Sequence, residues 1–172
     1  MFPYAIEWPQ FFTAVIYDWL PILEKEKYKN IIISSLQYMV SNKRIELSSF
    51  VLMKTHIHLI WQPKPGYSLQ QIQLAFMKYT AQQIKLELMK FDPELLEKCR
   101  VNKPDRKYQI WKRESLSVEL DNPIRFKIKM DYIHYNPVVA GFCKYPEEYY
   151  YSSAKFYQDG KDPFNIVTHF MG

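Results

Sequence analysis

The spacing of apolar residues changes several times along this 172-residue chain, and each change marks an element. Phe11 to Trp19 (FFTAVIYDW) is dense in aromatic and β-branched residues and predicts a first strand, closed off by Pro21. From Ile22 to about Lys43 the period lengthens. Tyr28, Ile31, Ile32, Leu36 and Met39 recur at three and four residues, as in an amphipathic helix. Ser49–Met53 and His56–Trp61 are apolar runs on either side of Lys54-Thr55; they predict an antiparallel hairpin, ended by Pro63, Pro65 and Gly66. Ser68 caps a second long helix, to about Lys90, with Leu69, Ile72, Phe76 and Tyr79 as its core stripe. The polar connection Phe91–Lys107 predicts a short helical piece followed by a loop, and Tyr108–Leu120 holds two strand-like pieces, YQIW and LSVEL. Asn122 before Pro123 starts a third helix. Pro137 ends it at about Tyr135 and pushes Asn136 away from α geometry. The tail from Gly141 is tyrosine-rich and irregular.

The order strand, helix, strand, strand, helix, strand, helix is that of the split β-α-β plan. The expected class is therefore α+β: a ferredoxin-like antiparallel sheet with helices on one face, an open second face, a C-terminal helix and an irregular tail. With no internal repeat and no low-complexity linker, one domain over residues 1–172 is expected.

Composition narrows the function. Hydrophobic residues make up 48% and aromatics 17%, which excludes a disordered polymer. No apolar run approaches a membrane span. MFPYAIEWPQFF has no basic leader and carries Glu7, so it does not read as a signal peptide. Cys99 and Cys143 are far apart and read as reduced thiols of a cytoplasmic protein. The four glycines form neither GxGxxG nor GxxxxGK, which argues against a nucleotide-cradling loop. The net charge of +5 is concentrated: Lys98–Lys129 carries +6 and the remainder −1. Such a segment, interleaved with Tyr108 and Trp111, suits a polyanion, although a solvated charged face has the same composition.

The chemistry-bearing residues are few. His56 and His58 share one face of their strand, with Ile57 and Leu59 on the other. Two imidazoles on a largely buried strand suit a divalent metal, or else the edge of the sheet. On the third helix Phe126, Met130, Ile133 and Pro137 form a core face. Arg125, Lys129, Tyr132 and Asn136 form another, within about one-fifth of the circumference. A surface helix can carry a tyrosine for packing alone. Here it shares its face with two cations and an amide. An ordinary tyrosine ionises near pH ~10, so full ionisation at neutral pH requires about 4 kcal/mol. Lys129 can supply part of this, and a metal that polarises a phosphate lowers the demand on the nucleophile.

These residues carry a resemblance. FVLMKTHIHLIW resembles the His-hydrophobic-His (HUH) strand of single-tyrosine transposases. DYIHYNPVVAG (Asp131–Gly141) resembles the tyrosine-bearing helix of their REP-associated branch, which carries the transposase IS200-like domain. FMKYT (Phe76–Thr80), Ile110-Trp111 and YPEEYYYSSA (Tyr145–Ala154) look like the same branch, in the same order. The turn Lys54-Thr55 departs from the Pro-Asn common there.

The resemblance implies Tyr132 as nucleophile, His56, His58 and Asn136 as ligands of Mg²⁺ or Mn²⁺, and a ferredoxin-like fold with a C-terminal catalytic helix. It implies nicking and strand transfer on single-stranded DNA with hairpin-forming repeats, through a 5′-phosphotyrosine. Lys78, Lys112, Arg113, Arg125 and Lys129 are the candidate DNA-backbone contacts. It also implies a bacterial-type, nucleoid-associated protein with no membrane partner, as a monomer or a dimer. Two other readings stand beside it: a domesticated single-strand or hairpin-binding module, and a metal phosphoesterase that uses the histidines without the tyrosine.

Overall fold

The computed structural model describes residues 7–171; the first half of the N-terminal stretch read against a signal peptide, residues 1–6, lies outside them. Four strands make the main sheet: β1 (Gln10–Val15), β2 (Ile45–Leu52), β3 (His56–Pro63) and β6 (Leu116–Glu119). Their order is β2-β3-β1-β6, with every neighbouring pair antiparallel. This is the ferredoxin-like arrangement. Helix α1 (Glu26–Ser41) joins β1 to β2, and α2 (Leu69–Phe91) leaves β3. Both pack on one face, around Phe12, Leu59 and Trp61 of the sheet, with Ile32, Leu36, Ile72 and Phe76 from the helices.

The second face is not open. Helix α4 (Pro123–Val139) covers it, packing Phe126, Met130 and Ile133 on Phe11, Val51, Met53 and Ile60. Fully burying one such side chain stabilises by ~1.5–3 kcal/mol, so an uncovered face would be costly. A bulge at Ser48 resets which β2 side chains meet each face: Leu47 opposes Trp61 and Ser49 opposes Ile60, with Ser48 inserted between. The extra residue shifts the alternation. Leu47, Phe50 and Leu52 therefore face α1 and α2, while Val51 and Met53 face α4.

Several expected boundaries move. β1 stops at Val15, and Tyr17–Trp19 form a tight turn instead of more strand. β2 begins earlier, at Ile45. Ser68 caps α2 as expected: its hydroxyl accepts the Gln71 N–H at 3.1 Å, and Gln71 answers at 3.0 Å. Tyr79 is exposed, and its neighbour Thr80 is buried. Thr80 accepts the Trp111 indole N–H at 2.9 Å and donates to the Phe76 carbonyl at 2.8 Å, which satisfies the polar group inside. The short helical piece expected after α2 is α3 (Pro93–Lys98), and the expected loop behind it is a two-stranded ribbon, β4 (Arg100–Lys103) and β5 (Arg106–Tyr108).

The tail is less irregular than its composition suggests. It carries the short helix α5 (Ala154–Asp159) and closes the β2 edge through bridges from Ser152 to Val51 and from Val167 to Leu47. Among the described residues, no helix is long and apolar enough to cross a membrane.

Candidate active site

The site grows from the register of β1 against β3. Thr13 lies opposite His58 and Val15 opposite His56, on the face covered by α4. The Thr13 hydroxyl is 2.7 Å from His58 Nδ1, and the Thr55 hydroxyl is 3.0 Å from His56 Nδ1. A neutral imidazole that donates Nδ1–H to its threonine keeps a lone pair on Nε2. His58 is only 5% exposed and stacks on Phe11 at 5.4 Å with an interplanar angle of 18°. Burial, helped by the charges of His56 and Lys129, lowers the His58 pKa to about 3. Burial also lowers that of His56, against a hydrogen bond from Asn136. Both rings are therefore neutral at physiological pH.

Helix α4 brings the remaining groups. The Asn122 side chain accepts the Arg125 N–H at 2.9 Å and Pro123 takes the first position, as the sequence indicates. The buried stripe fixes the rotation of the helix and hangs Lys129, Tyr132 and Asn136 over the histidines. Tyr132, 51% exposed, lies 5.3 Å from His58 and 5.9 Å from Phe11, between ring centroids. Asn136 Nδ2 is 3.5 Å from His58 Nε2. The Lys129 ammonium is 4.7 Å from the Phe11 ring centroid and 5.7 Å from that of Tyr132.

Pro137 does not end this helix, which runs to Val139. Its missing N–H forfeits one bond in the last turn, while the Asn136 carbonyl still accepts the Ala140 N–H at 3.0 Å. Asn136 is thereby kept on the helix, above the histidines.

The proposed DNA contacts divide by position. Lys129 is in the cluster. Arg125 is on the same helix, exposed and paired with Asp121 at 3.1 Å. Lys112 and Arg113 are exposed at the His56 end of the sheet, where the Lys112 N–H bonds the Val15 carbonyl at 2.7 Å. Lys78 is on α2, across the sheet from Tyr132.

His134 is the residue whose role sequence reading missed. It is buried behind α4, with Nε2 at 2.8 Å from the Ser153 hydroxyl and 3.1 Å from that of Ser49. It ties the tyrosine helix to β2 and the tail. Its place in DYIHYNP, facing away from Tyr132 on the wheel, was the available cue.

As a metal site the donors are two imidazoles and one amide. Among the described residues, no group of three His, Cys, Asp or Glu side chains converges. The fit rests on the two histidines, each oriented through Nδ1, as imidazole ligands commonly are. Asn136 turns Nδ2 toward His58 Nε2, so its amide would have to flip for Oδ1 to join the imidazoles. A set holding two imidazoles suits a transition-metal ion such as Mn²⁺ better than Mg²⁺, which prefers an all-oxygen shell.

A protein of Haemophilus influenzae named as a REP-associated tyrosine transposase is 27% identical over 155 residues, covering 88% of this chain and 81% of that one. The structure of a REP-associated tyrosine transposase bound to a REP hairpin superposes with a TM-score of 0.67 at 18% identity, over 99% of this chain and 93% of that one. A crystal structure from Deinococcus radiodurans, named as a transposase, matches at 0.51 and 15% identity, over 77% of this chain and 93% of that one. No protein-family model matches. The two structures show the fold. The resemblance to REP-associated tyrosine transposases read from the sequence is borne out.

Proposed function

We propose that this chain is a REP-associated type of tyrosine transposase, which nicks and rejoins single-stranded DNA with Tyr132 as nucleophile. One observation carries the reading: a half-exposed tyrosine, 5.3 Å from a buried neutral histidine, shares a cluster with a second histidine, an amide and a lysine. A Mn²⁺ or Mg²⁺ ion held by His56, His58 and Asn136 would polarise the scissile phosphate. Phe11 and His58 orient the Tyr132 ring, and Lys129 offsets negative charge that develops on its oxygen. That oxygen bonds to phosphorus as the bond to the 3′ oxygen breaks, and the proton lost by Tyr132 is balanced by the one the 3′ oxygen takes up. The products are a 5′-phosphotyrosine and a free 3′-hydroxyl. No water is consumed, so the same steps in reverse reseal the strand.

Arg125 and Lys129 on α4, with Lys112 and Arg113 at the His56 end of the sheet, would track the backbone; Lys78 is set apart. A hairpin-forming repeat is the natural substrate, since the structural relative was solved on a REP hairpin. The basic ribbon β4–β5 has a shape that a duplex groove admits. The test is a denaturing gel of the protein with hairpin-bearing single-stranded DNA, with and without Mn²⁺. A metal-dependent covalent band, absent in Tyr132→Phe, is expected. Binding without such a band would leave a DNA-binding module, and hydrolysis without it a phosphoesterase.

A further inference from the structure

The turn between β1 and α1 has unusual backbone geometry. Asp18 and Trp19 are consecutive and both stand at φ 53, a left-handed conformation that residues with a Cβ seldom adopt. The turn is held firmly. The Trp19 N–H bonds the Ile16 carbonyl at 3.0 Å, the Ile16 N–H the Thr55 carbonyl at 2.8 Å, and the Leu23 N–H the Lys54 carbonyl at 3.0 Å. Lys54 and Thr55 lead directly into His56, so this turn and the histidine strand are one block.

What the strained turn delivers is an exposed indole. Trp19 is 58% exposed, with its ring 6.2 Å from that of His56 and at 70° to it. Core burial therefore does not compensate the strain. Tyr132, His58, His56 and Trp19 form a row of rings with steps of 5.3, 4.9 and 6.2 Å. Tyr132 also touches Phe11, toward the Ile60 end of β3, whereas Trp19 lies at the His56 end. In an in-line displacement the attacking and leaving oxygens lie on opposite sides of phosphorus. With Tyr132 attacking from one end of the row, the leaving 3′ oxygen points toward the other.

We propose that Trp19 is a base-stacking subsite for the nucleotide on the 5′ side of the scissile phosphate, the one that keeps the 3′-hydroxyl after cleavage. This rests on the nicking reading above. Exposed Asp18 beside it disfavours a phosphate there, so the contact is with a base. Holding that base keeps the 3′-hydroxyl beside the phosphotyrosine for the reverse attack.

The test compares binding of oligothymidylate with binding of the matching fully abasic strand, which keeps the phosphates and lacks the bases. Trp19→Ala should weaken oligothymidylate binding about 5- to 140-fold, the range for one stacked base. It should hardly change binding of the abasic strand, and Trp19→Phe should retain most of the affinity. Trp19→Gly, which relieves the backbone, should melt no lower than wild type while binding as poorly as Trp19→Ala. On a cleavable hairpin strand, Trp19→Ala should lower the ratio of rejoined to cleaved product. Unchanged oligothymidylate affinity, or equal losses on both strands, overturns the subsite and leaves the nicking reading standing. A wild-type protein that binds neither strand overturns both.

Discussion

His58 shows how one side chain is prepared by its neighbours. Thr13 holds its Nδ1 at 2.7 Å, Phe11 stacks on it, and burial keeps it neutral with a pKa of about 3. Thr13→Val keeps the shape and drops the hydroxyl. We expect Mn²⁺ affinity, measured by calorimetry, to fall about 10- to 100-fold, the usual effect of losing a group that orients a ligand. His58→Ala should lose more, and undiminished affinity there would remove the metal assignment. Tyr132→Phe changes one exposed oxygen, so its melting should stay within ~1 kcal/mol of wild type while the covalent band disappears.

His134 makes a different prediction, in acid. Burial lowers its pKa to about 4, with Asp131 opposing the shift and Lys127 adding to it; around it are the Ser49 and Ser153 hydroxyls and the Tyr157 ring. Below its unfolded pKa of ~6.5 the unfolded chain binds the proton more readily, so stability falls as pH drops from there toward about 4. The contribution at stake is about 3 kcal/mol over that window. Chemical denaturation of wild type and His134→Gln at pH values across the window should show the steeper loss in wild type.

At the scale of elements, α4 and β2 set the precision of the site. The stripe Phe126, Met130, Ile133 and Pro137 fixes the rotation of α4, and the Pro137 ring belongs to that stripe instead of ending the helix. The Ser48 bulge sets which side chains of β2 meet it. Deleting Ser48 would either turn Ile45 and Leu47 toward the wrong face or slip Phe50 and Leu52 out of the larger core. Each fully buried side chain displaced costs ~1.5–3 kcal/mol. Cooperative thermal unfolding should therefore be lost in that deletion, and a sharp transition near the wild-type midpoint would show that the bulge is dispensable.

For the whole molecule, the decisive arrangement is that both faces of one sheet are used. α1 and α2 bury one face, which leaves the other to carry the histidines under a helix from the same chain. Tyr132, His56, His58 and Asn136 thus meet within a single chain, and a monomer of 20.8 kDa is the expected species in sedimentation. A dimer that dissociates on truncating α4 would instead indicate exchanged helices. Of the cations near the site, Arg125 and Lys129 stand on α4, and Lys112 and Arg113 are exposed at the His56 end of the sheet. Replacing Lys112 and Arg113 with Ala should reduce the salt slope of single-strand binding by about 1 to 1.4 units, at ~0.7 per phosphate contact. An unchanged slope would make them a solvated face.

Sequence by itself determined the order of the main-sheet strands and long helices, the Ser68 and Asn122 caps and the Lys54-Thr55 turn, because periodicity and capping are local properties of the chain. It also put His56 with His58, and Lys129, Tyr132 and Asn136 together on a helix face, since period 2 and period 3.6 decide those groupings without any partner. Tertiary structure alone decided that the two groups meet, that α4 closes the second face, and that Lys78 lies across the sheet. It also decided the buried ends of the story: Thr80 in place of Tyr79, His134 between two serines, and tail segments paired to β2. Each of these depends on a contact from far along the chain that satisfies a polar group or covers an edge. The exposed Trp19 reads as strand in sequence, and only the backbone bonds of Ile16 and Leu23 to the Thr55 and Lys54 carbonyls turn it out beside His56.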